Sequence, residues 1–113
     1  MSVGNLIGWD VGGAHLKAVL VDADGRVLAA RQVYCPLWRG LHELEQAIDI
    51  ILREVSAEKH IVTMTGELAD IFPNRQAGVM QISDTLQQKL MAFNVGAHVK
   101  FYAGKLGAVT LDA

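Results

Sequence analysis

The sequence predicts an α/β domain built on a mixed β-sheet, in the order β-β-β-α-β-α-β. Three short runs with strand character come first, separated by the turn signals Gly12-Gly13 and Asp24-Gly25. Two stretches with apolar residues at helical spacing follow, and a further short apolar run comes after each of them. Tight turns between early strands and helical crossovers to later strands together predict a sheet of mixed direction.

The first three strands are predicted to form an antiparallel meander. Residues 5–10 and 16–21 are short, apolar runs rich in β-branched side chains. The Gly12-Gly13 pair between them can take the positive φ values that a tight reversal needs. The second turn leads into residues 26–34, whose side chains alternate between two faces as in a strand.

Two amphipathic helices are predicted in the rest of the chain. The first covers residues 41–55, where apolar side chains recur at three- and four-residue spacing opposite a charged face. The second covers residues 79–93, with Asn74 as its N-cap and Asn94 or Gly96 as its end.

Two later strands are predicted at residues 60–64 and 99–102. The first is a nearly continuous apolar run, typical of a strand that is buried on both faces of a sheet, and it should lie parallel to the first strand. The second is followed by a tail of small residues, 103–109, that carries few charges. We therefore expect an exposed sheet edge or patch here, through which the chain self-associates.

The first glycine turn is the main candidate for a functional site. Without a Cβ at Gly12 or Gly13, the backbone amides can lie close to an anionic group. Asp10, at the end of the first strand, can hold a metal-bound water or a polar substrate atom. Lys17 can neutralise phosphate charge or point to solvent. The alternative is a plain hairpin in which the aspartate only caps the turn.

A second candidate segment, residues 65–70, follows the predicted buried strand. Ligands of parallel sheets bind outside the carboxyl ends of strands, so this segment and the glycine turn should meet at one cleft. Thr65 and Gly66 are candidate phosphate contacts, and Glu67 or Asp70 could orient an amine or accept a proton. Arg75 could grip a diphosphate through two hydrogen bonds. The alternative is a helix start with acids at the positive end of its dipole.

Composition indicates a single cytoplasmic domain. Of the 113 residues, 51% are hydrophobic, and the mean hydropathy of +0.26 predicts apolar surface that a second lobe or a second copy would cover. A net charge of −2 without a basic patch argues against nucleic acid or a membrane surface as partner. One cysteine, Cys35, excludes an internal disulfide, and four histidines without paired spacing argue against structural zinc.

The predicted order resembles one lobe of the superfamily of sugar kinases, heat-shock ATPases and actin, which share a ribonuclease-H-like sheet. Its first turn reads approximately Asp-x-Gly-Thr-Thr-x-x-Lys and cradles nucleotide phosphates. Asp10, Gly12 and Lys17 match this motif. Gly13 and Ala14 stand where small or hydroxylated residues are usual, so the hydroxyl that would bond a phosphate oxygen is missing at Ala14.

Four segments in combination, 8–14, 17–18, 63–70 and 75–79, resemble the hydantoinase/oxoprolinase-related family that is linked to one-carbon transfer on tetrahydromethanopterin. The resemblance implies methanofuran biosynthesis, with a transferase that joins an aminomethylfuran diphosphate to a glutamyl-tyramine through a phenol ether. It also implies a small phosphate or diphosphate substrate, with Mg²⁺ near Asp10. Family members are longer, so we expect residues 1–113 to be the N-terminal lobe of a two-lobe protein, inactive in isolation.

Two other functions are consistent with the sequence. An ATP-dependent kinase or hydrolase of the same fold would use the same glycine turn together with a phosphate loop from a second lobe. A non-catalytic interaction lobe would keep the fold without turnover.

Overall fold

A computed structural model describes residues 4–64, 75–94, 96–102 and 108–109. In that part of the chain, six strands form one mixed sheet in the order β3-β2-β1-β4-β5-β6, accompanied by two helices. The strands are β1 (Leu6–Val11), β2 (His15–Val21), β3 (Val27–Tyr34), β4 (Lys59–Met64), β5 (His98–Tyr102) and β6 (Ala108–Val109), and the helices are α1 (Leu41–Leu52) and α2 (Arg75–Phe93). The predicted α/β class and the predicted order are confirmed, with β6 as an unpredicted addition.

The N-terminal meander is antiparallel, as predicted, and its two turns differ. At the second turn, Oδ1 of Asp22 accepts hydrogen bonds from the backbone N–H groups of Asp24 and Arg26, at 2.9 and 3.0 Å. Gly25 adopts a φ of +82°, a value that favours glycine. The carboxylate of Asp22 thus accepts the hydrogen bonds of two backbone N–H groups within the turn and stabilises this reversal of the chain.

The first turn does not use the positive φ values that we predicted for Gly12 and Gly13. Positive φ among the described glycines is confined to Gly25 and Gly40. Three residues, 12–14, separate β1 from β2, so the reversal is distributed over a longer connection than a two-residue turn. The prediction was therefore wrong about the backbone conformation, although the hairpin itself forms.

One face of the sheet carries both helices and the hydrophobic core. Alternate residues of β1 (Ile7, Trp9 and Val11) are buried and belong to one cluster with apolar side chains of both helices. The helix residues of this cluster recur at three- and four-residue spacing: Leu44, Ala47, Ile48, Ile51, Leu52, Ile82, Leu86 and Leu90. The core therefore lies in a single layer between the sheet and the helices.

The opposite face of the sheet is not covered by any element in the described part of the chain. β4 was predicted to be buried on both faces, but only His60 and Val62 are buried, whereas Lys59 is exposed and Ile61 and Thr63 are partly exposed. The prediction was wrong because both helices pack on the same side of the sheet. β4 does run parallel to β1, as predicted.

The far edge of the sheet is formed by β6 and by the part of β5 that β6 does not pair with, within the stretch where we expected an exposed edge, and self-association through it stays a prediction. β6 pairs antiparallel with the last two residues of β5, so Phe101 lies opposite Val109 and Tyr102 lies opposite Ala108. Within the described residues, no helix is long and apolar enough to cross a membrane.

Candidate functional site

The glycine turn and the end of β1 form the centre of the candidate site. Asp10 is the second-last residue of β1, and its register partners are Lys17 on β2 and Thr63 on β4. Because Trp9 and Val11 point into the core, Asp10 lies on the uncovered face. Adjacent strands are about 5 Å apart, so a carboxylate stands between an ammonium group and a hydroxyl group in one row.

One member of this row, Thr63, is held in place by a hydrogen bond to the neighbouring strand. The hydroxyl of Thr63 donates to the backbone carbonyl of Trp9 at 3.2 Å, across the β1–β4 pair. Lys17 is exposed, whereas Asp10 and Thr63 are partly exposed. An anionic ligand can therefore approach the row from solvent, next to the turn.

Among the described residues, some backbone N–H groups of the turn donate hydrogen bonds and others do not. The N–H of Gly12 donates to the carbonyl of His15 at 3.0 Å, and the carbonyl of Ala14 accepts from the N–H of Cys35 at 2.7 Å. A Cβ at Gly12 would lie 3.3 Å from the carbonyl oxygen of His15, which favours glycine there. Within the described residues, the N–H groups of Gly13 and Ala14 donate no hydrogen bond, so they are the two amides of the turn that remain for an anion.

Three aromatic rings adjoin the turn and were not singled out together from the sequence. The rings of His15 and Tyr34 meet edge to face with centroids 6.0 Å apart, and Tyr34 meets Trp38 in the same way at 6.2 Å. Tyr34 is 56% exposed and Trp38 is 48% exposed. Large exposed aromatic side chains suit contact with a flat ring of a ligand. The alternation of β3 could have pointed to Tyr34, but its approach to His15 depends on the strand register.

The candidate residues of the second segment, Thr65, Gly66, Glu67 and Asp70, lie outside the described residues. β4 ends at Met64, whose register partner is Val11, so the described part of β4 ends beside the turn. Arg75 is the first residue of α2, but its side chain lies outside the described part.

Metal binding was predicted at Asp10. No group of three or more histidine, cysteine, aspartate or glutamate side chains that could hold a metal occurs in the described part of the chain. Mg²⁺ is commonly held by one or two carboxylates together with substrate phosphates and waters, so a single aspartate can contribute to such a site, and Mg²⁺ near Asp10 stays a prediction.

Two buried polar groups lie behind the site. The indole N–H of Trp9 donates to Nδ1 of His60 at 3.0 Å. Burial lowers the pKa of His60 to about 4, and a hydrogen bond with the backbone of Ala57 opposes that shift in part. Burial raises the pKa of the Cys35 thiol to about 11, with the charge of Glu43 adding to the effect. Trp9 thus packs in the core with its indole N–H satisfied, and the buried Cys35 thiol is inert.

The mixed sheet and its two crossover helices match the sugar-kinase and actin-like fold. An inorganic polyphosphate/ATP-glucomannokinase from Arthrobacter sp. strain KM is 22% identical with a TM-score of 0.57, over 87% of this chain and 43% of that protein. A ROK family protein from Streptococcus pneumoniae TIGR4, in complex with sucrose, is 16% identical with a TM-score of 0.56, over 88% of this chain and 35% of that protein.

At the level of sequence, the chain is similar to a particular synthase from Methanocaldococcus jannaschii. The product in its name is a furan-2-yl-methanamine that carries a (γ-L-glutamylamino)ethyl-phenoxymethyl group. Identity is 30% over 94 residues, which cover 83% of this chain and 26% of the synthase. The chain therefore spans about a quarter of the length of this curated relative. No family model matches the chain.

Proposed function

We propose that this chain is the diphosphate-binding lobe of a transferase in methanofuran biosynthesis. The reaction joins an aminomethylfuran diphosphate to the phenol oxygen of a glutamyl-tyramine and releases diphosphate. The observation that carries the proposal is the row of Lys17, Asp10 and Thr63 beside the open amides of Gly13 and Ala14. The similarity to the phenoxymethyl-furan methanamine synthase supports the choice of reaction.

The reaction needs groups that stabilise a departing diphosphate. The bond between the furan methylene carbon and the diphosphate oxygen breaks, and its electron pair leaves with the diphosphate. The phenol oxygen forms the new bond to the same carbon, and its proton passes to a base. Two backbone amides and the Lys17 ammonium group would hold the leaving group and stabilise the negative charge that develops on it.

Asp10 fits a supporting role in this chemistry. It would hold Mg²⁺ through its carboxylate, with the diphosphate oxygens and waters completing the shell. Bound there, the ion would offset charge on the leaving group. The base that takes the phenol proton is assigned to Glu67 or Asp70, with Thr65, Gly66 and Arg75 as further phosphate contacts, on the sequence alone.

The aromatic rings beside the turn fit the organic part of such a substrate. Tyr34 and Trp38 expose ring surface near the site where the diphosphate would bind. A furan or phenol ring could lie against them while the diphosphate occupies the amides. This exposed aromatic surface beside the turn supports a substrate that carries an aromatic ring next to its diphosphate.

A second candidate function is that of an ATP-dependent kinase or hydrolase. It rests on the likeness to the polyphosphate/ATP-glucomannokinase, which shows the fold alone. A third candidate function is that of an interaction lobe without catalytic turnover, which would bind no phosphate at the backbone amides of the turn. The two active functions place a phosphate on the same turn and differ in whether a nucleotide is bound.

Calorimetric titration of pyrophosphate and of ATP, each with Mg²⁺, tests the proposal. We expect pyrophosphate to bind the wild-type chain and Lys17→Gln to weaken that binding about tenfold. Arg26→Gln, which removes a positive charge at the other turn of the meander, is the matched control and should leave the affinity unchanged. ATP binding at least as tight as pyrophosphate binding would favour the kinase, and binding of neither would favour the interaction lobe.

A further inference from the structure

A cavity of ≈ 350 Å³ opens at the β1–β4–β5 part of the sheet, at the end away from the glycine turn. Its lining residues are Leu6, Lys59, His60, Ile61, His98 and Lys100. Cavities that bind small molecules start at about 300 Å³. The distance from Leu6 to Asp10 along β1 is about 13 Å, so this cavity is separate from the candidate phosphate site.

The walls of the cavity combine positive charge with apolar surface. Lys59 and Lys100 lie on adjacent parallel strands, where Lys59 pairs with His98 and Ile61 pairs with Lys100. Among the described residues, no carboxylate lines the cavity and neither lysine forms an ion pair. Two ammonium groups held near one cavity without a counter-charge are suited to an anion.

The floor of the cavity is apolar and easily approached. Leu6 and Ile61 contribute aliphatic surface on neighbouring strands. Gly8 is the register partner of Ile61 on β1, and a Cβ built at Gly8 would meet no atom within 4 Å. The sheet surface is therefore open beside the cavity, and an apolar chain or ring can lie against the backbone there.

We propose that this cavity binds a small amphipathic anion, a carboxylate attached to an apolar chain or ring. The carboxylate lies between the ammonium groups of Lys59 and Lys100, and the apolar body covers Leu6, Ile61 and the open surface at Gly8. Inorganic phosphate would leave the apolar floor exposed, and a neutral apolar molecule would leave the ammonium groups without a partner. The combination of the two surfaces selects an anion with an apolar body.

Titration of octanoate into the ¹⁵N-labelled 113-residue chain tests this proposal, with octanol and acetate as matched probes. Octanoate should move the amide signals of Leu6, Ile61 and Lys100, and octanol and acetate should each bind about tenfold more weakly or not at all. The double variant Lys59→Gln/Lys100→Gln should weaken octanoate binding about tenfold. The control double variant Arg26→Gln/Arg53→Gln, which changes two exposed arginines away from the cavity, should bind octanoate as the wild type does.

Three outcomes would overturn the proposal. They are equal binding of octanol and octanoate, unchanged octanoate affinity in the double lysine variant, and the absence of shifts at the three amides. Equal binding of octanol would identify the surface as an apolar face without anion selectivity. Because the readout lies at Leu6, Ile61 and Lys100, failure here leaves pyrophosphate binding at Gly13 and Ala14 unaffected, and the two proposals can fail separately.

Discussion

The indole N–H of Trp9 donates a hydrogen bond to Nδ1 of His60 inside the core, at 3.0 Å. Trp9 precedes Asp10 on β1, and His60 lies three residues before Thr63 on β4. The bond therefore links the two strands that carry the centre of the candidate site. Because His60 accepts through Nδ1, its ring is held in the neutral form that carries a proton on Nε2.

This pair predicts a specific loss of stability in acid. The pKa of His60 is about 4 in the folded chain and 6.5 at its ordinary value, so between these values the unfolded chain binds a proton that the folded chain does not. The stability that neutral, buried His60 contributes is present in full above pH 6.5. As the pH falls to 4, the free energy of unfolding therefore decreases by about 3 kcal/mol. Urea unfolding of the wild type and of His60→Gln at pH 7.5 and 4.5 measures it. An equal drop in both proteins would contradict the assignment.

Removing the donor should also cost stability. Trp9→Phe leaves Nδ1 of His60 without its partner and opens space in the core around a side chain that is 1% exposed. We expect a loss of about 3 kcal/mol in the free energy of unfolding. Trp38→Phe, at an exposed tryptophan, is the control and should change stability by less than about 0.5 kcal/mol. Similar losses in the two variants would show that the buried bond contributes little.

Cys35 should be unreactive in the folded chain. Its thiol is buried, and its pKa of about 11 leaves almost no thiolate at neutral pH. Labelling with iodoacetamide at pH 7.5 should therefore be slow in buffer and fast in urea. Rapid labelling in buffer would mean that the region around the thiol opens without global unfolding.

The aromatic rings beside the turn should contribute to ligands that carry a ring. Replacing Tyr34 and Trp38 together by alanine should weaken phenyl phosphate binding about fivefold, because a stacked ring contact is lost. Binding of inorganic phosphate should stay the same, since it has no ring to contact them. Calorimetry with both ligands gives the comparison. Equal weakening of the two would indicate that the substitutions disturb the turn itself.

Much of the fold could be predicted because local signals agree with it. The Asp24-Gly25 turn, the apolar spacing of α1 and the end of α2 before Asn94 are all encoded within a few residues. Asn94 also accepts from the N–H of Gly96 at 3.1 Å, which supports the predicted end of the helix. The two-residue strand β6 has too little local pattern to be predicted.

The features that sequence reasoning missed depend on distant packing. The apolar run of β4 predicts burial of both faces, because it does not reveal that both helices lie on one side of the sheet. The N–H of Gly12 donates to the carbonyl of His15, and this hydrogen bond depends on the length of the turn. The approach of Tyr34 to Trp38 likewise depends on the path of the chain through a single 3-10 turn, Leu37–Arg39. The family resemblance indicates the proposed reaction. The positions of the open amides of Gly13 and Ala14, in contrast, depend on the fold and could not be predicted from the sequence.

The measurement that tests the central claim most directly is a ¹⁵N spectrum of the chain during titration with pyrophosphate and Mg²⁺. We predict that the amide signals of Gly13 and Ala14 shift most, together with Lys17, and that Asp10→Asn reduces these shifts by removing the carboxylate that would hold the ion. Saturating shifts confined to Lys59 and Lys100, or no shift at Gly13 and Ala14, would contradict a diphosphate site at the glycine turn.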